Sequence, residues 1–245
     1  MARTCHCCDT TLSYNNHLLA ALSSFDQNLI EPCLECIELR PRQVLHLRAL
    51  PFENVYFLES GLVSVLAEID DGGSAEVWFI GREGMVGLPA VLGAPSSPFK
   101  RVVHVPGQAL RIATRDLRAA MAKSPSLRDM LNRYIYAVTV QVAQISLCSR
   151  LHPLAMGLSR WLLTASHSIG TSELPLTHDV LARLIGVRRA SISTTLRDFE
   201  TLGLVAVGRG TVTILDHDGL ARQSCRCHRV MLGAHQSVLS AGAGV

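Results

Sequence analysis

The sequence is poor in charge and in aromatic residues. Asp, Glu, Lys and Arg make up 18% of its 245 residues, and Phe, Trp and Tyr only 5%. An average soluble domain carries about 25% charged residues. With 48% hydrophobic residues the chain is not disordered as a whole, because disorder goes with few apolar residues and high net charge. A long apolar run is also lacking. The best candidate, Leu154 to Ala165, is cut by Arg160, short of the roughly 18 apolar residues a membrane span needs. No apolar stretch follows Met1-Ala2-Arg3-Thr4-Cys5, so no secretory signal and no membrane association are expected, and the compartment is expected to be cytoplasmic. Excess charge of one sign is nearly absent: 23 basic against 20 acidic residues, or +3. Any nucleic-acid contact must therefore come from local clustering.

Catalytic motifs are missing too. No nucleophile–base motif and no phosphate-cradling glycine loop is present. His46 and His104 are isolated, where a metal-dependent barrel enzyme needs a His/Glu cluster. No catalytic residue is assigned, and an enzyme is not expected. There is no internal repeat.

Cysteine is plentiful by contrast: Cys5, Cys7, Cys8, Cys33, Cys36, Cys148, Cys225 and Cys227. In a reducing compartment these are thiols or metal ligands rather than structural disulfides. Cys5-His6-Cys7-Cys8 is too short to enclose a tetrahedral ion alone and would need Cys33 and Cys36. Those five are the metal candidates, and no cofactor is assigned. Cys225-Arg226-Cys227-His228 is a weak ligand signal, and Cys148 reads as a helix-seam residue.

Five segments follow from the pattern. Residues 1–15 are a Cys-rich tail. Residues 16–124 begin with helical spacing over Asn16 to Ile30 and continue as short apolar runs between turn signals: Val44 to Leu47, Val55 to Leu58, Leu62 to Ile69, Ala75 to Ile80, Val102 to Val105 and Ala109 to Ile112. Such spacing predicts an antiparallel barrel or sandwich, with Asp71-Gly72-Gly73 as a hairpin turn. Thr114 is expected to cap a short helix ending at Lys123. Residues 125–151 form a long helix in which Leu127, Leu131, Tyr134, Val138, Gln141, Ile145 and Cys148 alternate spacings of four and three. That stripe is either buried against the chain's own barrel or a dimer seam. A dimer seam is favoured, because the barrel already has a helix on either flank; Met130, Ile135 and Val142 would then pack back onto it. Residues 152–221 carry the next unit, and 222–245 are a C-terminal extension.

Leu176 to Val205 meets the requirements of a helix-turn-helix in register. Thr177 can cap the first helix, Ala182 is small where two helices approach, and Gly186 suits the sharp turn. Ile192 can wedge between the helices, with Leu181, Ile185, Val187, Leu196 and Phe199 completing a small core. Gly203 can end the second helix. Arg189, Ser193 and Arg197 share one face of that helix. Over residues 176–215 the net charge is +2. Arg188, Ser191 and Thr194 add to this basic, hydroxyl-rich surface, which suits phosphates and guanine edges of double-stranded DNA. Val205 to Leu215 reads as a β-hairpin wing with Arg209 at its tip.

With barrel, long helix and winged helix-turn-helix in this order, the chain resembles the Crp/Fnr family of bacterial transcription regulators from about Asn16 to about His228. Asn54 to Gly61 looks like the family's strand and turn, and Phe79 to Gly87 sits where the family has its phosphate-cassette turn. The resemblance implies an α+β fold: a double-stranded β-helix of cyclic-nucleotide-binding type, a dimerisation helix and a winged helix-turn-helix. It implies a homodimer on a palindromic operator that acts through RNA polymerase. Departures are specific. Arg82 precedes Glu83 in the turn, and Ser96-Ser97-Pro98-Phe99-Lys100-Arg101-Val102 replaces the Arg-Ser/Thr-Ala run that holds a cyclic phosphate. An effector other than cyclic AMP is expected, with Arg82, Glu83, Lys100 and Arg101 as pocket candidates. Arg189 keeps the family's first recognition arginine, but Ala190 and Thr194 replace the acid and the later arginine, so the operator should differ. Iron–sulfur members use clustered N-terminal cysteines. An iron–sulfur or thiol-based redox sensor is therefore the alternative, and a ligand-binding sensor without DNA binding the further one.

Overall fold

The computed structural model describes residues 13–68 and 73–240. The helical stretch after Asn16 is two helices, α1 (His17–Ala20) and α2 (Ser24–Ile30). Ser23 interrupts it by capping a new start, its hydroxyl accepting from Asp26 N at 3.1 Å. Asn16 caps α1 and is buried, donating to Leu58 O (3.0 Å) and Gly84 O (2.8 Å). One side chain thus fixes the N-terminal helices on the barrel.

Eight strands follow: β1 (Glu35–Leu39), β2 (Val44–His46), β3 (Asn54–Leu58), β4 (Leu62–Glu68), β5 (Ser74–Ile80), β6 (Met85–Val86), then after α3 (Leu88–Val91) β7 (Lys100–Val105) and β8 (Gly107–Ala113). They form two four-stranded antiparallel sheets, ordered β1-β8-β3-β6 and β2-β7-β4-β5. The sequence pattern misses β1 and β6. β1 is an edge strand whose Glu35, Cys36, Ile37 and Glu38 are exposed or half-buried, so its alternation is faint. β6 is two residues long. β4 and β5 pair with Glu68 opposite Ser74, and Asp71 and Gly72 of the expected turn lie outside the described residues. At Gly61, φ is +87° and a Cβ would come within 2.6 Å of Val105 O, so the β3–β4 turn admits glycine alone.

α4 (Thr114–Lys123) has Ala113, not Thr114, at its N-cap position; Thr114 is its first residue. α5 (Pro125–Leu151) starts at Ser124, whose hydroxyl accepts from Leu127 N at 3.1 Å. Ser124 and Ser126 in turn donate to Asp26. The remainder is α6 (Leu154–Ile169), β9 (Glu173–Leu174), α7 (His178–Ile185), α8 (Arg189–Thr201), β10 (Val205–Gly208), β11 (Thr211–Ile214), α9 (His217–Gln223) and α10 (Cys227–Ser240).

α10 changes the reading of the long helix. Leu131, Tyr134, Val138, Gln141 and Cys148 are buried within a single chain, and Ile145 is half-buried. Tyr134 Oη accepts from Met85 N of the barrel at 3.2 Å. His235 of α10 meets Gln141 Oε1 at 3.0 Å and stacks obliquely on Tyr134, while Val238 joins the barrel core. The stripe expected to face a partner faces the chain's own barrel and its C-terminal helix. Helical spacing reveals an apolar stripe but not what covers it, and the pattern after residue 222 gave no sign of a covering helix. The opposite face of α5 leaves Tyr136 66%, Leu147 43% and Leu151 68% exposed.

Two hydrophobic clusters organise the molecule. One fills the barrel and takes in α5. The other joins Leu62, Phe79 and Val105 on the outside of the β2-β7-β4-β5 sheet to α6 and the helix-turn-helix. The C-terminal unit is therefore docked on the sensor.

Candidate DNA interface and sensor site

Thr177 caps α7, its hydroxyl accepting from Val180 N at 3.2 Å. Gly186 ends α7 at φ +79°, the left-handed conformation glycine adopts without strain. The chain is thereby turned into α8. Leu181, Ala182, Ile192, Leu196 and Phe199 are buried between the two helices, and Ile185 and Val187 pack half-buried at the rim. With these residues inward, Arg188, Arg189, Ser191, Thr194 and Arg197 are exposed. Ser193 is only half-buried, and its hydroxyl meets His178 Nδ1 at 2.8 Å. Arg189 Nε lies 3.5 Å from Asp179 Oδ1, with both side chains mostly exposed. Such a surface pair is weak and leaves the guanidinium available. Sequence reading missed both partners, although Asp179 and His178 sit in the first turn of the preceding helix and face α8 once the turn closes. β10 and β11 pair with Gly208 opposite Thr211, leaving Arg209 exposed at a two-residue tip whose Gly210 has φ +81°.

The four pocket candidates do not converge. Arg82 reaches away from the barrel, its Nε and Nη2 donating to Ser168 O (3.4 Å) and His167 O (3.5 Å), while its backbone N–H donates to Ser168 O at 3.1 Å. It ties the β5–β6 turn to the end of α6. Glu83 folds back to accept from Gly81 N at 2.9 Å. Its other oxygen is buried without a partner beside Gln141, His167 and His235. Lys100 pairs with Glu68 at 3.4 Å on the surface. Arg101 is buried, donating to Phe99 O at 2.5 Å, with its guanidinium carbon 5.2 Å from the centre of the Phe52 ring. Burial lowers it to about 10, so it remains charged at neutral pH. His46 also stays inside the barrel, bonded to Asn54 O at 2.7 Å, and burial pulls it down to about 4.

Where the two units meet, Glu76 of β5 accepts from Trp161 Nε1 of α6 at 2.8 Å and from Ser64. Burial raises it to about 7 against the pull of those donors and of Arg160.

Of the five N-terminal metal candidates only Cys33 and Cys36 fall among the described residues. Cys5, Cys7 and Cys8 lie outside the described residues. Cys33 is exposed after α2, and Cys36 is half-buried in β1. Among the described residues one group of ligand atoms does assemble, and it was not expected: Cys148, His152, Cys225 and Cys227, all within 4.8 Å of one another. Burial, with Cys225 and Cys148 alongside, pushes Cys227 up to about 11. Its sequence signal was a Cys and a His four residues apart at a helix end plus a Cys-x-Cys pair, which nothing local connects.

A sensor-type double sheet carrying an exposed, basic winged helix-turn-helix defines a DNA-binding transcription regulator. Residues 36–124 match the cyclic nucleotide-binding domain family and residues 158–223 the Crp-like helix-turn-helix domain family, which together cover more than half the chain. The chain belongs to the Crp/Fnr family of transcription regulators. It is 25% identical over 184 residues to the CRP-like cAMP-activated global transcriptional regulator of Mycobacterium tuberculosis, covering 71% of this chain and 81% of that one. It is 21% identical over 182 residues to the global nitrogen regulator of Synechococcus elongatus, covering 71% and 82%. The crystal structure of a putative Crp/Fnr-family transcriptional regulator from Eubacterium rectale shares the fold, with a TM-score of 0.63 at 22% identity and coverage of 84% and 96%. No described helix is long and apolar enough to cross a membrane.

Proposed function

We propose that the protein is a cytoplasmic regulator, not an enzyme, that binds a two-fold operator as a homodimer and acts through RNA polymerase. One observation carries the DNA reading. α8 buries Ile192, Leu196 and Phe199 and turns Arg188, Arg189, Ser191, Thr194 and Arg197 outward. Arg189 and Arg197 are the base-reading residues, Thr177 and Arg188 meet the flanking phosphates, and Arg209 meets a phosphate from the wing. Ser193, held by His178, orients rather than reads.

The dimer uses the outward face of α5, not the stripe first expected. Tyr136, Val140, Ala143, Leu147 and Leu151 recur at spacings of four, three, four and four, and all are exposed or half-buried. A second copy of the chain covers this face as a parallel helix pair. The two recognition helices then reach successive major grooves, about 34–36 Å apart.

Tyr136→Glu with Leu147→Glu should give monomers by sedimentation. Affinity for the operator selected from random DNA should fall by about a hundredfold or more, since the two half-sites no longer act together. Val138→Glu with Ile145→Glu, inside the fold, should instead lower thermal stability. A dimeric Tyr136/Leu147 variant would remove this interface.

The effector is not cyclic AMP. This reading is supported by where the two guanidiniums point: Arg82, at the cassette turn, reaches the carbonyls at the end of α6, and Arg101 is packed on Phe52.

A further inference from the structure

We propose that Cys148, His152, Cys225 and Cys227 form a tetrahedral site for one zinc-class ion, which clasps the C-terminal helix to the junction between the long helix and the DNA-binding unit. Cys148 and His152 stand one turn apart at the end of α5, which Pro153 closes, so both project from one face. Cys225 and Cys227 flank the entry to α10, two residues apart. The chain between the halves of the site is long, but the fold closes it: Cys148 Sγ and Cys225 Sγ are 3.6 Å apart, and Cys227 Sγ and His152 Nδ1 are 3.9 Å apart.

These are the edges of a mononuclear site. With metal–sulfur bonds of about 2.3 Å and metal–nitrogen bonds of about 2.0–2.1 Å, the edges of a tetrahedron are about 3.5–3.8 Å. All four donor atoms already lie within 4.8 Å of one another. An ion could seat with side-chain movements well below the size of a helix shift. Three sulfurs and one imidazole favour zinc over hard, oxygen-seeking cations. Four protein donors with no open position make the site structural rather than catalytic.

Arg160 gives an independent indication. It projects from α6, is 7% exposed, and its Nε and Nη1 are buried without a hydrogen-bond partner. It interacts electrostatically with Cys148, Cys225 and Cys227. Its charge is shared with the Glu76 carboxyl of β5 and the Cys148 thiol, but two buried guanidinium nitrogens without a hydrogen bond remain costly. Three thiolates, a neutral histidine and a divalent ion sum to one negative charge, and Arg160 balances it. Binding the ion releases up to three protons from the cysteines, since only the thiolates coordinate.

The consequence lies in the fold. α10 covers the inward stripe of α5 through His235 and Val238. The ion fixes the start of that helix against the point where α5 hands over to α6. Loss of the ion should loosen α10 before it affects the barrel or the helix-turn-helix, because neither contributes a ligand.

The full chain, purified reduced and stripped of metal, is titrated with Co²⁺ and with Zn²⁺. We expect one ion per chain, the visible bands of tetrahedral cobalt, and a sulfur-to-cobalt charge-transfer band for three thiolates. Cys225→Ser with Cys227→Ser should abolish the tetrahedral spectrum, while Cys5→Ser with Cys7→Ser and Cys8→Ser should keep it. Because the double variant removes two ligands and could misfold, Cys148→Ser is the second test: its charge-transfer band should fall by about one third in folded protein. Hydrogen exchange should speed up in residues 227–240 when the ion is removed. No stoichiometric ion, a spectrum kept by the Cys225/Cys227 variant or lost in the N-terminal one, or a Cys148–Cys225 disulfide filling the site in protein isolated from cells would overturn the proposal.

Discussion

The recognition helix and the sensor sheets carry similar polar side chains and use them in opposite ways. On α8 the arginines stand outside the fold: Arg188 and Arg197 are exposed, and Arg189 touches only an exposed aspartate. In the barrel the corresponding groups are taken up by the protein itself. Arg82 holds the end of α6, Glu83 holds its own turn, Lys100 pairs with Glu68, and Arg101 lies buried on Phe52. A charged side chain can recruit an external ligand only if its present partners are weaker than the ligand. By that measure α8 is ready for DNA, whereas in the barrel Arg101 is the most firmly held group, and Arg82 and Lys100 are held by longer contacts of 3.4–3.5 Å.

Arg189 tests the α8 half of this contrast most strongly. Arg189→Ala should cost about 1–3 kcal/mol of operator affinity and relax preference at one base pair in each half-site. Asp179→Ala frees the same guanidinium from its surface partner and should change affinity far less, and not for the worse. Binding titrations with selection of preferred sites would check both. Unchanged affinity and motif in Arg189→Ala would mean that another residue of α8 reads the bases.

The contrast also explains what the sequence made legible. The helix-turn-helix needs Thr177, Ala182, Gly186 and Ile192 at fixed offsets within one short segment, so its geometry is written locally. The barrel strands are local too, through their alternation. Its polar contacts are not: Arg82 meets Ser168 across 86 residues, and Cys148 meets Cys225 across 77. Nothing in the spacing around Cys148 distinguishes a partner's helix from the chain's own α10. The apolar stripe is therefore legible in the sequence, but its cover by the chain's own barrel and α10 is not, and neither is the full Cys/His cluster.

Glu76 links the two regions and should make their docking depend on pH. Burial against α6 raises its carboxyl to about 7 from an ordinary 4.5. The docked form therefore holds the proton more tightly than the undocked or unfolded one. Docking is at full strength below about pH 4.5, weakens as pH rises through 7, and is level above that. Glu76 is half-buried as a residue, so the effect is discounted to about 1–2 kcal/mol. Glu76→Gln keeps an acceptor for Trp161 and carries no charge. It should stabilise the protein at pH 8, change little at pH 5, and flatten the profile between them. Thermal unfolding across that range measures this, and parallel profiles for the variant and the parent would remove Glu76 from the interface energetics.

Arg209 sharpens the α8 side by a smaller amount. At the tip of the wing it should meet a phosphate rather than a base. Arg209→Ala should weaken binding to all sequences alike and lower the slope of log affinity against log salt by about 0.9. A change in the preferred sequence instead would place the wing in a groove.

The smallest expected effect is none, and it probes the barrel side. Cyclic AMP at millimolar concentration should release no heat in calorimetry and leave operator affinity unchanged. A cyclic phosphate needs a guanidinium and backbone N–H groups free to close around it. Arg82 would have to let go of Ser168 and His167, undoing a contact between barrel and α6. Arg101 would have to leave the Phe52 ring and the Phe99 carbonyl, repacking the barrel interior. The Arg101 rearrangement is the costlier, and one phosphate without a preformed nest is expected not to repay it. A micromolar dissociation constant that vanished in Arg101→Ala would show that the buried guanidinium does turn outward, and that side chains held by the protein itself are still available to a ligand. Binding lost only in Arg82→Ala would instead place the phosphate at the junction with α6, where ligand entry and release of the DNA-binding unit would be one event.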